Sequence, residues 1–484
     1  MMTLGRDVSE LFPAVVKNVV ADSMEIKKFV YMYVIHYAST NANLALLSIS
    51  SFQKDMASSN PLVRAKALHA MSCMRVSSVT HLIILQLKNA VKDSSAYVRR
   101  TAAQCLPAVN NLDSKFKSDL YAMLTTLLGD DDVYVLSGAL YAFNALCPTK
   151  FDLIHLNYRK ICHLLADMDE YGQIIALSIL LKYCRNQFAS PFIKKDKSND
   201  DEDAKSSGSD EDGDSGSDGG GNGNDDAFAR QFVDDEEYVE LDADHQLLIA
   251  SCKNLIFSMN SQVVLSVVTL LHYCAPPSDC LDAVGALIQF INFSRREITY
   301  CILANIASMA VERADLFAGH YKEFFIKFIE AGFIKELKLD ILSKITTDSN
   351  VNHILHEFEA YAQAPDIKFR CAAIEAMGRC SSMIPDVAEK TMQSLMSLLS
   401  PANQSPDVVA SSVVVIRQII QRNPSRYSRS MLKLVRLLQK TNVPAARTAI
   451  VWMYASCLSP RLLTLLFPTK LLLTQSAMMG VVKH

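Results

Sequence analysis

A short pattern recurs along the 484-residue chain and restricts the folds that it can adopt. It pairs an apolar residue, often followed by arginine or lysine, with a small or apolar residue four positions later. The ten copies are Val63/Ala67, Val98/Ala102, Val135/Ala139, Gly172/Ala176, Val263/Val267, Ile298/Ile302, Leu337/Ile341, Phe369/Ala373, Val409/Val413 and Ala446/Ile450. Their first positions are 32 to 40 residues apart, except for one step of 91 that contains an acidic stretch.

Positions i and i+4 share one face of a helix, so each pair is expected to contact the same neighbouring helix. The small residue lets helix axes approach closely, and the arginine is predicted to reach water or the previous repeat. A period in the high thirties with helical patterning is typical of stacked helix pairs. The sequence therefore predicts an all-α, HEAT/armadillo-like α-solenoid with a disordered acidic insert. Chance spacing in an apolar chain is the alternative.

Composition and cysteine usage indicate a protein of a reducing compartment. Glycine (16) and proline (15) are too scarce for a collagen-like or all-β chain. The twelve cysteines are single, without a C-x-x-C pair, and the N-terminus lacks the apolar segment of a signal peptide. Residues 254–278 are uncharged but are predicted to form a polar turn and a buried helix, since a membrane span needs about 20 mainly apolar residues.

Charge is distributed unevenly. Residues 196–244 carry 19 acidic and 3 basic side chains, whereas the remainder carries 45 basic and 32 acidic ones. Four segments are expected: solenoid over 1–193, a disordered Ser/Gly/Asp-rich loop over 194–244, solenoid again over 245–454, and a divergent tail over 455–484. Ser207, Ser209 and Ser215 each have an acidic residue three positions later and are candidate phosphorylation sites; an unmodified spacer is the alternative.

The first helices are predicted from capping residues and periodicity. A helix is expected over 22–37, capped by Asp22 or Ser23. Its predicted apolar stripe consists of Ile26, Phe29, Val30, Tyr33, Val34 and Tyr37. A second helix is expected over 44–52, and Asn60-Pro61 is expected to start a third.

The C-terminal part of the chain is basic. No Asp or Glu follows Asp407, whereas 11 Lys and Arg do. Five of these are spaced to share one helix face: Arg426, Arg429, Lys433, Arg436 and Lys440. This basic stripe is a candidate contact for an anionic membrane or an acidic partner. A solvated outer helix face is the alternative.

Catalytic and metal-binding patterns are not found in the sequence. There is no G-x-x-x-x-G-K-[ST] or G-x-G-x-x-G phosphate-binding loop. His353, His356 and Glu357 resemble a metal motif, but Ala360 stands where a second zinc ligand would be needed, so we interpret the histidines as structural. Basic and aromatic residues do not alternate as a nucleic-acid groove requires. We expect no enzyme activity, no cofactor, no metal and no nucleic acid.

Four stretches resemble the large-subunit adaptins: residues 25–34, 44–54, 60–65 and 96–103. Within that family, residues 4–18 (LGRDVSELFPAVVKN) and 154–160 (IHLNYRK) are similar to beta subunits of the third heterotetrameric adaptor complex. The acidic insert also suits that branch. The resemblance extends from residue 1 to about 454 and departs after Trp452, where the family continues with Gly-Glu and this chain with Met453. A truncated or spliced product, or a faulty gene model, would explain the departure.

The resemblance implies a non-enzymatic scaffold subunit of a vesicle-coat adaptor complex. Such a subunit assembles with medium (mu), delta-type large and small (sigma) chains. It is recruited by an Arf-type small GTPase to anionic Golgi and endosomal membranes, on the cytoplasmic side. The complex sorts cargo toward lysosome-related organelles. Two rivals are another HEAT scaffold, such as a nuclear-transport receptor, and a hydrolase on a helical frame.

Overall fold

The computed structural model describes residues 2–189, 191, 241–384, 387–399, 405–422, 444, 447–450 and 452. No β-strand occurs within these ranges. The predicted acidic loop, the divergent tail, the candidate phosphorylation sites and the basic stripe all lie outside them, apart from the loop's last four residues. The chain divides into two compact units, with the boundary between Leu287 and Ile288.

The first unit is built from helices throughout. They are α1 (Phe12–Val16), α2 (Met24–Tyr37), α3 (Ala42–Leu46), α4 (Ile49–Met56), α5 (Pro61–Cys73), α6 (Thr80–Ala90), α7 (Ala96–Leu112), α8 (Lys117–Leu128), α9 (Val133–Leu146), α10 (Asp152–His155), α11 (Tyr158–Leu164), α12 (Glu170–Gln187), α13 (Ala243–Lys253), α14 (Ser261–Cys274) and the first part of α15 (Pro277–Phe293). Short 3₁₀ turns join several of them.

The second unit continues the same alternation. Its helices are the end of α15, then α16 (Arg296–Glu312), α17 (Asp315–Ala318), α18 (Gly332–Lys344), α19 (Val351–Tyr361), α20 (Ile367–Met383), α21 (Ala388–Leu398) and α22 (Pro406–Arg422).

Each unit consists of two helix layers. Helices that carry the repeat pattern pack on one another in sequence and form what we call the first layer: α5, α7, α9, α12 and α14 in the first unit, and α16, α18, α20 and α22 in the second. The intervening helices pack against them as a second layer, for example α6 on α7 and α19 on α20. The predicted all-α, HEAT-like stack of helix pairs is therefore confirmed.

The second position of the pattern is buried in all ten copies, including Ala102, Ala176, Ile341 and Ile450. The first position is less regular than predicted. Ile298 is 37% exposed, whereas its neighbour Thr299 is buried. Ile298 lies in the first turn of α16 and is exposed, so the prediction for the first position of this copy was wrong, whereas its second position, Ile302, is buried.

Helix α2 corrects a second prediction. Ile26 and Phe29 belonged to the predicted apolar stripe but are 48% and 65% exposed. Lys27 and Tyr31 are buried instead, because both side chains donate hydrogen bonds to the carboxylate of Asp55 on α4. Polar pairing across two helices therefore rotates the buried face away from the most apolar one.

Other local predictions are confirmed or refined. The Asn60 side chain accepts a hydrogen bond from the Leu62 N–H and caps α5, as expected. The predicted helix 44–52 is divided into α3 and α4. Residues 254–278 do form a polar turn and a buried helix, α14. No helix in the described parts of the chain is long and apolar enough to span a bilayer.

Candidate scaffold surfaces

Two arginines of the repeat pattern each connect a first-layer helix to the next one, Arg64 from α5 to α7 and Arg99 from α7 to α9. Arg64 on α5 donates from Nε and Nη2 to the carboxylate of Asp93, at 2.9 and 2.8 Å. Its Nη1 donates to the Ser58 and Ser59 carbonyls at the start of its own helix. Asp93 lies in the loop before α7, so one guanidinium holds the starts of two successive helices together.

Arg99 repeats this arrangement one step further along. Its Nε and Nη2 donate to Asp130, at 2.6 and 3.2 Å, and its Nη1 donates to the carbonyls of Asp93 and Ser94. Arg64 and Arg99 therefore reach the following repeat, not water or the previous repeat as predicted. The reason is geometric: the loop before the next first-layer helix, which carries Asp93 or Asp130, lies within reach of the first turn of the helix that carries the arginine. Arg370, in contrast, donates to the carbonyl of Ala362 at the end of the preceding helix α19.

These aspartates are ionised at neutral pH. Burial alone would raise the pKa of Asp93, but hydrogen bonds from Arg64 and from the Ser95 N–H outweigh it, so the pKa is lowered. Burial of Asp130 is outweighed in the same way by Arg99 and the Asp132 N–H. The sequence held a signal for both residues, since Asp93 and Asp130 each precede the next copy's valine by five positions.

A cluster of side chains fixes both ends of the acidic insert in the first unit. On the outgoing side, the Phe188 ring stacks on His245, with ring centroids 4.9 Å apart. On the returning side, the carboxylate of Asp244 accepts hydrogen bonds from Arg159 at 2.7 and 3.3 Å. Tyr158 donates to the Asp244 carbonyl at 2.9 Å. We call these five residues the insert clasp.

His245 is the buried centre of the insert clasp, 1% exposed. Its Nε2 lies 2.7 Å from the Cys274 carbonyl, which can only accept, so Nε2 carries the proton. The Cys184 sulfur lies 3.4 Å from the same nitrogen. Burial lowers the pKa of His245, despite the opposing effect of the Cys274 carbonyl. The imidazole is therefore neutral and serves as a packing and hydrogen-bonding group.

The predicted site residues fall outside the part of the chain that the structure describes. Arg426, Arg429, Lys433, Arg436, Lys440, Ser207, Ser209 and Ser215 lie outside the described residues. The ring of His353 stacks on that of Tyr321, with centroids 6.2 Å apart. Within the described ranges, no three His, Cys, Asp or Glu side chains are grouped to hold a metal ion.

Exposed apolar side chains mark surfaces that sequence reasoning did not single out. In the first unit they include Ile26 and Phe29 on α2, Leu82 and Leu85 on α6, and Tyr171, Phe257 and Met259. In the second unit Phe328 and Ile329 stand out, at 74% and 88% exposure. Two layers of helices, ion pairs between neighbouring first-layer helices and such exposed surfaces suit a scaffold that binds other proteins.

Comparison with known proteins agrees with that architecture. Residues 1–457 match the family model of the adaptin N-terminal region. The chain is 40% identical to the AP-3 complex subunit beta of Dictyostelium discoideum, over 93% of this chain and 44% of that protein. It is 36% identical to the human AP-3 complex subunit beta-1, over 94% of this chain and 40% of that protein. The chain thus spans less than half the length of these curated relatives.

Structural comparison leads to the same family. A homology model of the full-length AP-3 complex in an intermediate open conformation superposes with a TM-score of 0.62 and 26% identity, over 94% of this chain and 71% of that one. Kap95p, in a structure with RanGDP, superposes with a TM-score of 0.51 but only 12% identity, over 94% of this chain and 58% of that one, which shows a shared fold alone. The family match over almost the whole chain decides the assignment: this chain belongs to the adaptin N-terminal region family.

Proposed function

We propose that the chain is a scaffold subunit of a heterotetrameric vesicle-coat adaptor complex, in the position that beta subunits occupy in AP-3 complexes. The observation that carries the proposal is the family match over residues 1–457, combined with 36–40% identity to AP-3 beta subunits. The two-layered helix stack supports it, because such a stack offers surfaces that other subunits can bind. We propose that the chain acts without a bound cofactor or metal.

The proposed partners are a mu-type medium chain, a delta-type large chain and a sigma-type small chain. An Arf-type GTPase would recruit the complex to Golgi and endosomal membranes on their cytoplasmic side. Cargo would be sorted toward lysosome-related organelles, without catalysis by this chain. The four-segment division at 193, 244 and 454 is part of the proposal, with the insert as a loop between two repeats.

Co-expression tests the assembly. The tagged chain is co-expressed with mu, delta and sigma subunits, and the purified complex is sized by gel filtration. We expect co-elution of the mu-type chain with this one. If the chain instead retained a Ran-type GTPase and none of the adaptor subunits, the nuclear-transport alternative would replace the proposal.

The basic stripe is proposed as one contact with anionic membrane or with an acidic partner. Replacing Arg429, Lys433 and Arg436 by glutamate should weaken binding to anionic liposomes or to the mu chain, more at low salt than at high salt. Circular dichroism serves as the folding control. Unchanged binding of both at low salt would assign the stripe to a solvated helix face.

A further inference from the structure

A row of exposed apolar side chains lies along one edge of the second unit. It follows the starts of three successive first-layer helices, α16, α18 and α20, and the loop before α18. We call it the edge patch; it consists of Ile298, Tyr300, Phe328, Ile329, Phe333 and Ile367. Six large apolar side chains exposed along one edge are a feature of interaction sites more than of solvated surfaces.

The loop that carries Phe328 and Ile329 is held by side chains of α18 and α19. Lys338 is 1% exposed, and its Nζ lies 2.6 Å from a carboxylate oxygen of Glu330. At the other end of the loop, the Ile326 N–H donates to the hydroxyl of Tyr361 at 2.8 Å. The Glu330–Lys338 ion pair and the buried Tyr361 therefore hold the loop in a conformation that leaves Phe328 and Ile329 exposed.

Contacts connect the three helix starts that carry the patch. The rings of Tyr300 on α16 and Phe333 on α18 pack edge to face, with centroids 5.5 Å apart. Lys335 on α18 donates from Nζ to the Phe328 carbonyl at 3.0 Å. The same ammonium lies 5.3 Å from the ring centroid of Phe369 on α20. These contacts connect the starts of α16, α18 and α20, with the ammonium of Lys335 bound both to the loop before α18 and over the ring of Phe369.

The charge around the patch is positive. Residues 294–300, 325–336 and 362–370 contain six basic side chains (Arg295, Arg296, Lys327, Lys335, Lys368, Arg370) and four acidic ones (Glu297, Glu330, Glu336, Asp366). Two of the acids have partners within the fold, since Glu330 pairs with Lys338 and Asp366 caps α20. At the N-terminal ends of α16 and α18, Arg295 and Ala331 provide no side-chain cap, so the positive helix ends are not offset by a cap.

We propose that the edge patch docks an acidic segment of a partner protein that carries bulky apolar side chains. The apolar row would receive the bulky side chains, and the surrounding lysines and arginines would pair with the carboxylates. Glu297 and Glu336 are exposed among the cations. A peptide can direct its own polar groups at these two, whereas a uniformly anionic membrane would meet them with repulsion, so the mixed surface favours a peptide.

Fluorescence anisotropy with the full 484-residue chain tests the proposal. The probe is a labelled peptide in which glutamates alternate with leucines; its counterparts have either Glu→Lys or Leu→Ser throughout. We expect the Glu/Leu peptide to bind and both counterparts to bind at least about tenfold more weakly, which corresponds to about 1.4 kcal/mol. Lys335→Glu should weaken binding as well, with the largest effect at low salt.

The decisive variant is Phe328→Ser with Ile329→Ser, and its matched control is Phe257→Ser with Met259→Ser. The control side chains are 87% and 93% exposed in the first unit and lie away from the edge patch in sequence. We expect about tenfold weaker peptide binding for the patch variant and no change for the control. Ile329→Ser alone provides a second test if the double variant melts early.

Three results would overturn the proposal. The first is failure of the Glu/Leu peptide to bind the unmodified chain. The second is equal weakening by the patch and control variants, which would indicate unspecific apolar contact. The third is loss of binding to phosphatidylserine-containing vesicles in the patch variant while peptide binding is unchanged, which would identify a membrane as the occupant.

Discussion

Three glycines in first-layer helices stand where a side chain would collide with the neighbouring helix. A Cβ at Gly172 on α12 would lie 2.6 Å from the Cβ of Ser137 on α9. A Cβ at Gly138 would lie 2.9 Å from Cγ of Arg100, and one at Gly378 would lie 2.8 Å from a methyl group of Val415. Absence of a side chain at these positions therefore sets how closely consecutive first-layer helices approach.

Gly172→Ala should destabilise the fold by about 1–3 kcal/mol, because the added methyl group meets the body of a helix and not the end of a flexible side chain. Gly285→Ala is the matched control, since nothing lies within 4 Å of a Cβ there. The control should be neutral or stabilising by up to about 1 kcal/mol. Urea unfolding of both variants measures the difference; equal midpoints would contradict the close approach.

Single residues also show what the sequence could and could not predict. The small residue at position i+4 was predictable, because its burial follows from helical spacing alone. Lys27 and Tyr31 were not, because their burial depends on Asp55, a partner on another helix. The exposure of Phe328 and Ile329 could not be predicted either, since their loop is held by an ion pair with Lys338 on α18 and by Tyr361 on α19. Apolar periodicity predicts which face of a single helix is buried, whereas the burial or exposure of these four residues depends on contacts with other elements.

At the scale of helices, arginine–aspartate pairs connect consecutive helices of the first layer. Arg64 and Arg99 each bind the loop that starts the next first-layer helix. Both pairs are largely shielded; the side chains of Arg99 and Asp130 are 18% and 15% exposed. A planar guanidinium with four acceptors is geometrically demanding, and a lysine cannot reproduce it.

Arg99→Lys should therefore cost about 1–3 kcal/mol of unfolding free energy, although the charge is retained. Lys88→Met is the control, since Lys88 and Asp119 form an ion pair whose side chains are 49% and 42% exposed. That variant should change stability by less than about 1 kcal/mol. Chemical denaturation of the two variants provides the measurement. A loss at Lys88 as large as at Arg99 would mean that the fork geometry does not matter.

The insert clasp predicts a pH dependence of stability. Burial lowers the pKa of His245 in the folded chain, whereas the unfolded chain keeps the ordinary value of about 6.5. As the pH falls below about 6.5, the unfolded state takes up a proton that the folded state does not, so stability decreases. The slope that one such group contributes is at most about 1.4 kcal/mol per pH unit.

His245→Gln tests this dependence, because glutamine can donate to the Cys274 carbonyl without titrating. Melting temperatures of both proteins are compared between pH 7.5 and 5. We expect a smaller decrease in the variant than in the unmodified chain. Parallel curves would assign the acid sensitivity to other groups.

For the molecule as a whole, the sequence shows that negative charge is concentrated in the insert and positive charge in the rest of the chain. The insert 196–244 has a net charge of −16 and the remainder one of +13. We propose that the insert competes with an anionic membrane for the same cations. Phosphorylation of Ser207, Ser209 and Ser215 would add about −1.5 to −2 charges each and would strengthen that competition.

Deletion of residues 198–240 should therefore raise the affinity for anionic liposomes at low ionic strength. The gain should fade as the salt concentration approaches about 0.15 M, where the Debye length is about 8 Å. Co-sedimentation across a salt series compares the deletion with the parent chain. Superimposable curves would leave the insert as an inert spacer.

The insert clasp also has a practical consequence for engineering. Because Phe188 and Asp244 are each held by partners in the first unit, we expect a change in the length of chain between them to affect folding mainly through loop-closure entropy, about 0.6 kcal/mol per doubling. A fluorescent reporter whose termini lie close together could be placed at this point while the repeats on both sides keep their register. The insert of this adaptin chain is thus a suitable internal site for the insertion of a label.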